Sequence, residues 1–580
     1  MNYVADFETT TIEPVRVWAW SITEMYTENV KYGTTLDSFF QYVTNLSEKN
    51  NINIYFHNLK FDGEFILSWL FNHNYIHVPG KVGAAKQFST LITDMGVFFS
   101  IQMCYKTKGK NKLKVTFRDS LKLLPMSVDG IAKAFNLEFQ KLEIDYKKYR
   151  DENHVLTSEE IEYIKNDVLI VSKGLEKMFE QDLTKITIAS NALQNFKDSI
   201  DIPFLTLFPK LDLEVDTYIR KSYKGGFTYL NPKYRNKIIG EGLVLDVNSL
   251  YPSVMYDSNL PIMEPKFFIG KYKYDKDYPL YVCRIRCQFE IKEGHIPTIQ
   301  LKGNFRYNAT EYITSSNDNF EELTLTNVDL ELFFDHYNVY NLTYIDGFKF
   351  RSENTIFRNY IDYWSKVKAD SKGINPPMYA IAKLMLNSLY GKFGMNPKAS
   401  QKRPYFEDEI VKYEITDEEE RDPIYVAMAS FITSYAREKT IRTAQKLKDR
   451  YIYSDTDSIH LEGRNLPENV DIHKTKLGYW SIDGEFNKAK YLRAKTYMYD
   501  EINDGIKVTV AGLPASVTKY VSFENFKPGT VFEVNMLNDE YKFNSENEEI
   551  VYIPIEDSKL RPKRVKGGII LEETKFTLKA

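Results

Sequence analysis

The apolar and polar positions divide the chain into stretches of different period. NYVADFE at 2–8 and INIYFHN at 52–58 read as strands, each a short apolar run bounded by polar residues. LITDMGVFFSIQMCYK followed by KLKVTFRDS reads as a hairpin that turns at KGKN, residues 108–111. From about 157 the apolar spacing lengthens to helical period and keeps it to about 180, with Thr157 and Glu160 in capping-box spacing at the start. Beyond about 187 the pattern predicts a strand–turn–helix at 243–256 and a β-rich stretch to about 350. Helices follow at 377–393 and 427–448, then a strand hairpin at 450–462 and a β-rich tail. There are no internal repeats, and no apolar run approaches the ~20 residues that span a bilayer.

A length of 580 residues is too great for one core and predicts roughly four structural units of mixed α/β and α+β character. The hydrophobic share of 43% is that of a soluble globular protein. MNYVADFE lacks the basic-then-apolar pattern of a signal peptide, so a cytoplasmic location is expected. Cys104, Cys283 and Cys287 are too few for a disulfide framework and have no companions at zinc-ligand spacing. Lys and Arg number 76 against 80 Asp and Glu, a net charge of −4. That sum neither announces a nucleic-acid binder nor excludes one, because distribution matters more than total. The 42 Tyr and 37 Phe could stack on bases, but coding bias inflates the same residues.

The candidate chemistry lies in clustered carboxylates. In RYIYSDTDSIHLEG, Asp455 and Asp457 sit two apart at a turn between apolar strands, a spacing that can aim both at one place. Two such charges repel unless a cation lies between them, and carboxylate oxygen suits Mg²⁺. Asp246 ends the apolar strand of GLVLDVNSLYPS, and the Val247 carbonyl beside it could add a ligand. This is the donor set that two-metal phosphoryl transfer needs. In YAIAKLMLNSLYGKF, Lys383, Asn387 and Tyr390 share one helix face, a point charge suited to phosphates and a flat ring suited to a base. The N-terminal third adds Asp6 and Glu8 at a strand end, Asp62 in YFHNLKFDGEF, and Tyr163 with Asp167 in YIKND. Four acids from separate segments can hold two divalent ions and activate water. Each alone would equally serve as a solvated turn or strand end, and their combination carries the reading.

In the order DVNSLYP, KLMLNSLYG, YSDTDS, these segments resemble motifs A, B and C of family B DNA polymerases, and most closely the protein-primed branch of that family. The resemblance extends over nearly the whole chain and includes YKGG at 223–226, TSYAR at 433–437 and KTY at 495–497. It implies an RNase H-like DEDDy 3′–5′ exonuclease domain at 1–186, followed by a right-hand polymerase domain at 187–580. In the latter, the palm would cover 187–257 and 424–525, the fingers 357–395 and the thumb 526–580, with two terminal-protein-region insertions at 258–356 and 396–423. By the same resemblance Asp246, Val247 and Asp457 would hold metal and Asp455 would support them. Lys383 and Lys368 would contact the triphosphate, Tyr251 would exclude a 2′-hydroxyl, and Asn387, Tyr390 and Gly391 would shape the nascent pair. Thr433, Arg437, Lys495 and Tyr497 would hold the primer–template end, while Tyr223, Gly225 and Gly226 would bridge the two activities.

For editing, Asp6, Glu8, Asp62 and Asp167 would be the metal ligands, Tyr163 would orient water and Lys141 would face the scissile phosphate. Thr9, Tyr55, His57, Asn58, Phe61, Phe65, Ser120 and Leu121 would grip single-stranded DNA, with a structural role for His57 as the alternative. The resemblance further implies two Mg²⁺ per site with Mn²⁺ as a substitute, and primer–template DNA, dNTPs, a terminal protein and a single-strand-binding protein as partners of a monomer. Viral DNA replication with strand displacement is the expected setting. Two basic clusters, 106–114 and 561–568, are candidate DNA contacts, and the stretch 531–560 is longer and more acidic than the family pattern. A nuclease on a decayed scaffold and a non-catalytic nucleic-acid-binding protein remain the alternatives.

Overall fold

The computed structural model describes residues 1–109, 111–146, 148–301, 306–534, 543–544 and 550–579. Residues 535–542 and 545–549 of the acidic stretch 531–560 therefore lie outside the described residues. Two eight-stranded sheets dominate.

The first sheet belongs to the N-terminal third. Its strands run in the order Val30–Gly33, Val17–Glu24, Asn2–Thr9, Ile52–Phe56, Asn111–Asp119, Phe98–Lys108, Gln87–Ile92, Ile76–His77. Asn2–Thr9, Ile52–Phe56 and Asn111–Asp119 are parallel neighbours. Parallel strands are covered on both faces, and here the helices Leu36–Leu46, Leu59–Asn72 and Ser158–Phe179 contribute to that cover. Ser158–Phe179 opens with the predicted capping box, Thr157 accepting from the Glu160 N–H and Glu160 from that of Thr157. The expected first strand of the KGKN hairpin is in fact two strands. Gly96, at φ 74°, and the Gly96 N–H bond to the Thr93 carbonyl turn the chain between Gln87–Ile92 and Phe98–Lys108.

The second sheet is antiparallel, ordered Gly505–Val510, Thr496–Glu501, Trp480–Arg493, Gly242–Val247, Ser458–Glu462, Tyr451–Asp455, Thr228–Leu230, with Ile238–Ile239 as an eighth strand paired to Trp480–Arg493. Gly242–Val247 sits at its centre between strands more than 200 residues further along the chain, so the sheet is assembled by long-range pairing. The buried helix Val426–Lys446 packs against it. Between these segments lie a four-stranded sheet spanning Leu260–Glu353 and a pair of packed helices, Arg358–Ser371 and Pro376–Ser388. The latter helix is interrupted at Leu389 and resumes as Tyr390–Phe393, where the sequence predicts one continuous helix. The helix Asn327–His336, capped by Thr326, falls in the stretch read as β-rich. Its neighbours bury it on most sides, which erases the amphipathic stripe by which a helix is recognised. Two hairpins, Lys402–Glu407 with Ile410–Ile415 and Lys559–Val565 with Gly568–Thr574, stand beside a small sheet ordered Phe543–Asn544, Ile550–Ile553, Val531–Val534, Phe576–Thr577 and a short pair, Lys398–Ala399 with Glu419–Glu420. Among the described residues no helix is long and apolar enough to cross a membrane.

The close packing of the central strand depends on Gly242. A Cβ there would lie 2.0 Å from the Phe486 ring and 2.4 Å from the Leu461 carbonyl oxygen, held by the two flanking strands. Overpacking of this kind costs about 1–3 kcal/mol. Gly242→Ala should therefore lower the urea midpoint at unchanged slope; an unaltered midpoint would show that the sheet yields freely here.

Candidate active site

The structure gathers the sequence-predicted acids into two separate clusters. In the first sheet, Asp6 and Glu8 project from one face of Asn2–Thr9, and Asp167 reaches them from the helix Ser158–Phe179. Carboxylate oxygens of these three lie within 4.8 Å of one another. Asp62, on Leu59–Asn72, borders the cluster; its Oδ1 and that of Asp167 are buried without a hydrogen-bond partner. Burial, then the Asp167 charge, pushes Asp6 up to about 7. Burial, then Asp6, raises both Glu8 and Asp62 well above the usual carboxylate range. Such crowding favours either protons or a cation.

Lys141 answers part of this charge. Its Nζ donates to Tyr163 Oη at 2.6 Å, contacts Asp167 and sits 4.4 Å from the Tyr163 ring centre. Burial alone would lower the Lys141 pKa, and Asp167 more than reverses that. Tyr146 Oη lies 2.6 Å from Tyr163 Oη. The loop bearing Lys141 and Tyr146 is pinned by Arg150, which stacks on Trp18 and donates to Glu160 at 2.8 Å, and by His154, 2.7 Å from the other Glu160 oxygen. Against the upward pull of burial, the Thr157 N–H, Arg150 and His154 hold Glu160 at about 2.

The residues expected to grip single-stranded DNA are placed unevenly. Thr9 and Phe61 are half-buried near the cluster. Tyr55 is buried, and Phe65 is fully buried beneath Gly568. His57 has both ring nitrogens engaged, with Ser120 Oγ at 3.0 Å and the Met126 carbonyl at 2.7 Å, and burial lowers its pKa. Ser120 itself donates to the Phe56 carbonyl. Asn58, in the left-handed region at φ 74°, and Leu121 both donate backbone N–H groups to Asp119. Asp119 thus organises this loop cluster, and sequence reasoning missed it; as the last residue of a strand it carried no motif.

The second cluster lies on the central sheet. Asp246 pairs with Ser458 on one side and Ser481 on the other, and the Val247 N–H donates to the Asp457 carbonyl at 2.8 Å. Asp246, Asp455, Asp457, Ser458, Asp483 and Tyr497 line a cavity of about 340 Å³. Burial, then Asp457 and Asp483, pushes Asp246 up to about 7, with Lys383 opposing. Burial also raises Asp457, and Asp455 and Asp483 add to the effect. Asp455 has its own partners: Thr228 Oγ1 donates to it at 3.0 Å and Lys495 Nζ stands 3.7 Å away. Asp483 escaped the sequence reading. It is the extra residue where the register shifts between Val244–Gly484 and Leu245–Ile482, a bulge that re-aims its side chain. The strand pairing that reveals it spans more than 230 residues.

Thr456 turns the hairpin in the left-handed region at φ 61°, unusual for a β-branched residue. Its N–H donates to the Phe227 carbonyl, its carbonyl accepts from Thr440 Oγ1, and Gly226 lies so near that a Cβ there would be 2.6 Å from Thr456 Oγ1. Arg437 holds the other side of this segment. Its Nη1 donates to the carbonyls of Lys224 and Gly225 at 2.8 Å, and its Nη2 pairs with Asp329 at 2.5 Å. Arg437 and Thr433 are buried inside the domain.

Among the expected nucleotide contacts, the Tyr251 and Tyr390 rings stack with centroids 4.0 Å apart. Lys368 donates to Ser249 Oγ at 3.4 Å; burial, then Lys383, lowers its pKa. Lys383 and Asn387 are exposed, and Gly391 faces open space. The Tyr223 ring lies against Gly394. Tyr497 joins Tyr453 and Tyr491 around His460, whose pKa burial drives down to about 3, and the Lys495 N–H donates to Tyr453 Oη.

Comparison with known proteins agrees with this organisation. The family described as DNA polymerase type B, organellar and viral, matches residues 43–160 and 142–475. The DNA polymerase of Bacillus phage M2 is 44% identical, and that of Bacillus phage phi29 is 42% identical; each match covers 100% of this chain and 99% of the relative. A structure of phi29 DNA polymerase complexed with primer-template DNA and incoming nucleotide substrates superposes with a TM-score of 0.90 at 41% identity, over 100% of both chains.

The Arg437 node generates a specific expectation. A lysine lacks the fork that serves Asp329 and two carbonyls together, and breaking a buried ion pair costs about 3–5 kcal/mol. Arg437→Lys should lower the melting temperature and speed hydrogen exchange at Gly225 and Gly226. Wild-type exchange at those amides would show that Arg437 does not fasten the segment.

Proposed function

The chain belongs to the type B DNA polymerases of organelles and viruses and is a DNA polymerase of the phage phi29 type, and we propose that it extends primers at the Asp246–Asp457 cluster and edits 3′ ends at the Asp6–Glu8–Asp62–Asp167 cluster. The observation that carries this reading is the separation of two acid clusters on two different sheets, each with carboxylates raised by burial and then by mutual repulsion.

Both clusters fit divalent cations. Three carboxylates converge in the editing site beside two unpartnered buried oxygens, and hard oxygen donors suit Mg²⁺ or Mn²⁺. Asp246, Asp457 and the Val247 carbonyl would hold the ions of the polymerising site. Bound ions would activate the attacking hydroxyl or water and offset charge on the phosphate being transferred. The protein supplies the rest. Lys383 and Lys368 would attract the triphosphate, and the stacked Tyr251–Tyr390 pair offers a flat wall against sugar and base. Asp455, bonded to Thr228 and near Lys495, keeps the turn in shape. At the editing site Tyr163, held by Lys141 and Tyr146, would orient water toward the scissile phosphate. In this reading the segments retain the palm, fingers, thumb and insertion roles that the family resemblance implies. Priming by a terminal protein, strand displacement and cooperation with a single-strand-binding protein rest on that resemblance. DNA and dNTPs, present in the phi29 polymerase complex, are the proposed substrates.

Two tests follow. Asp457→Asn should cut primer extension beyond the roughly 10–100-fold typical of an outer-sphere partner while sparing 3′ digestion, and Asp62→Ala should do the reverse. If either substitution removes both activities, the two-site reading fails.

The second test uses pH. Asp6 and Asp246 are raised to about 7 when folded. Their contribution to metal-free stability is present below the unfolded carboxylate value of about 4 and is lost as pH rises through about 7. Cations bind the ionised form in competition with protons. Excess Mg²⁺ should therefore raise the melting temperature more at about pH 8 than at about pH 5.5. An equal rise at both would reject these carboxylates as the binding groups.

A further inference from the structure

Glu64 lies two residues beyond Asp62 on the helix Leu59–Asn72. At 3.6 residues per turn the two point to opposite sides, so Glu64 faces away from the acid cluster. It is fully buried, yet its carboxylate is not idle. Arg564 Nε, from the hairpin 559–574, donates to Oε1 at 2.8 Å, and Tyr413 Oη, from the hairpin 402–415, donates to Oε2 at 3.0 Å. The Arg564 guanidinium lies 4.6 Å over the Tyr413 ring, closing a three-way contact among segments that are remote in sequence.

The surroundings agree with a designed junction. Phe406 stacks on Phe71 with centroids 5.3 Å apart, and Tyr413 meets Phe98 edge-on. Val411 from one hairpin and Val565, Ile569 and Ile570 from the other enter the N-terminal core. Gly568 sits so close over Phe65 that a Cβ would fall 2.4 Å from its ring. Lys566 pairs with Glu409, joining the two hairpins directly.

We propose that Glu64 is a positioning residue, a shared anchor through which the two hairpins are fixed together to the back of the helix that carries Asp62. Neither hairpin can leave without depriving a buried carboxylate of a donor, so their attachment is cooperative. An unpaired buried charge is costly, and that cost couples one hairpin to the other across Glu64. The inference deepens the polymerase reading and rests on it: the helix that holds both hairpins through Glu64 carries Asp62 on its other side, so releasing the hairpins loosens the seat of the editing cluster.

The test reads each hairpin from the other. Hydrogen exchange is measured on the full chain carrying Arg564→Met, and separately on Tyr413→Phe. We expect Arg564→Met to speed exchange in 402–415 as well as 559–574, and the milder Tyr413→Phe to speed exchange in 559–574. An effect confined to the substituted hairpin in both variants overturns the shared anchor. In parallel, 3′ digestion of single-stranded DNA and nucleotide incorporation are measured on the same variant. Glu64→Gln should slow 3′ digestion several-fold and leave single-nucleotide incorporation on a short primer–template unchanged. An equal fall in both would reduce Glu64 to a general folding role and reject the proposal. A wild-type chain that incorporated no nucleotide at all would instead fail the polymerase reading, which separates the two conclusions.

Discussion

The acid cluster on the central sheet depends on one strained turn. Thr456 occupies a left-handed conformation that a β-branched residue adopts at a cost of about 1–3 kcal/mol. Such strain persists when the surroundings over-determine it. Here the Thr456 backbone is bonded on both sides, to Phe227 and to Thr440, while Gly226 leaves room for its side chain. Gly226 is itself kept in place through Arg437, which grips the two carbonyls before it and buries its charge against Asp329. The position of Asp455 and Asp457 thus traces back to an ion pair between the helix Val426–Lys446 and the helix Asn327–His336.

The two acid clusters meet the same electrostatic difficulty in different ways. In the first sheet a lysine and two tyrosines surround Asp167, leaving Asp6, Glu8 and Asp62 to crowd one another. On the central sheet Thr228 and Lys495 engage Asp455, while burial and the neighbouring carboxylates keep Asp246 and Asp457 raised. In both places a lysine stands beside one carboxylate, Lys141 at Asp167 and Lys495 at Asp455. Carboxylates crowded in this way cost stability unless protons or cations offset the repulsion, which is what the proposed metal sites would do.

What could be read in advance follows from distance along the chain. Asp6 with Glu8, Asp455 with Asp457, and Tyr163 with Asp167 were legible because strand and helix periods fix which near neighbours share a face. The capping box at Thr157 and the hairpin at 450–462 were legible for the same reason. Asp483, Asp119 and Glu64 were not. Each acquires its place from a partner remote in sequence: the bulged pairing with Gly242–Val247, the loop around Asn58, and two hairpins at 402–415 and 559–574. Arg437 was legible as part of a motif, but its buried attachment to Asp329 was not, because the helix bearing Asp329 lacks a polar face that would announce it.

The helix Leu59–Asn72 brings these arguments together. One side presents Asp62 to a cluster that repels it, and the other presents Glu64 to donors that hold it. A packed helix responds to such forces as a rigid body, because interiors at crystal-like density leave no slack for one face to move alone. Attachment on the Glu64 side therefore fixes where Asp62 stands, and the charge state of the Asp62 side loads the contact with the hairpins. The acid cluster proposed for editing and the grip of the two hairpins share a single element, so the geometry of each is a boundary condition for the other.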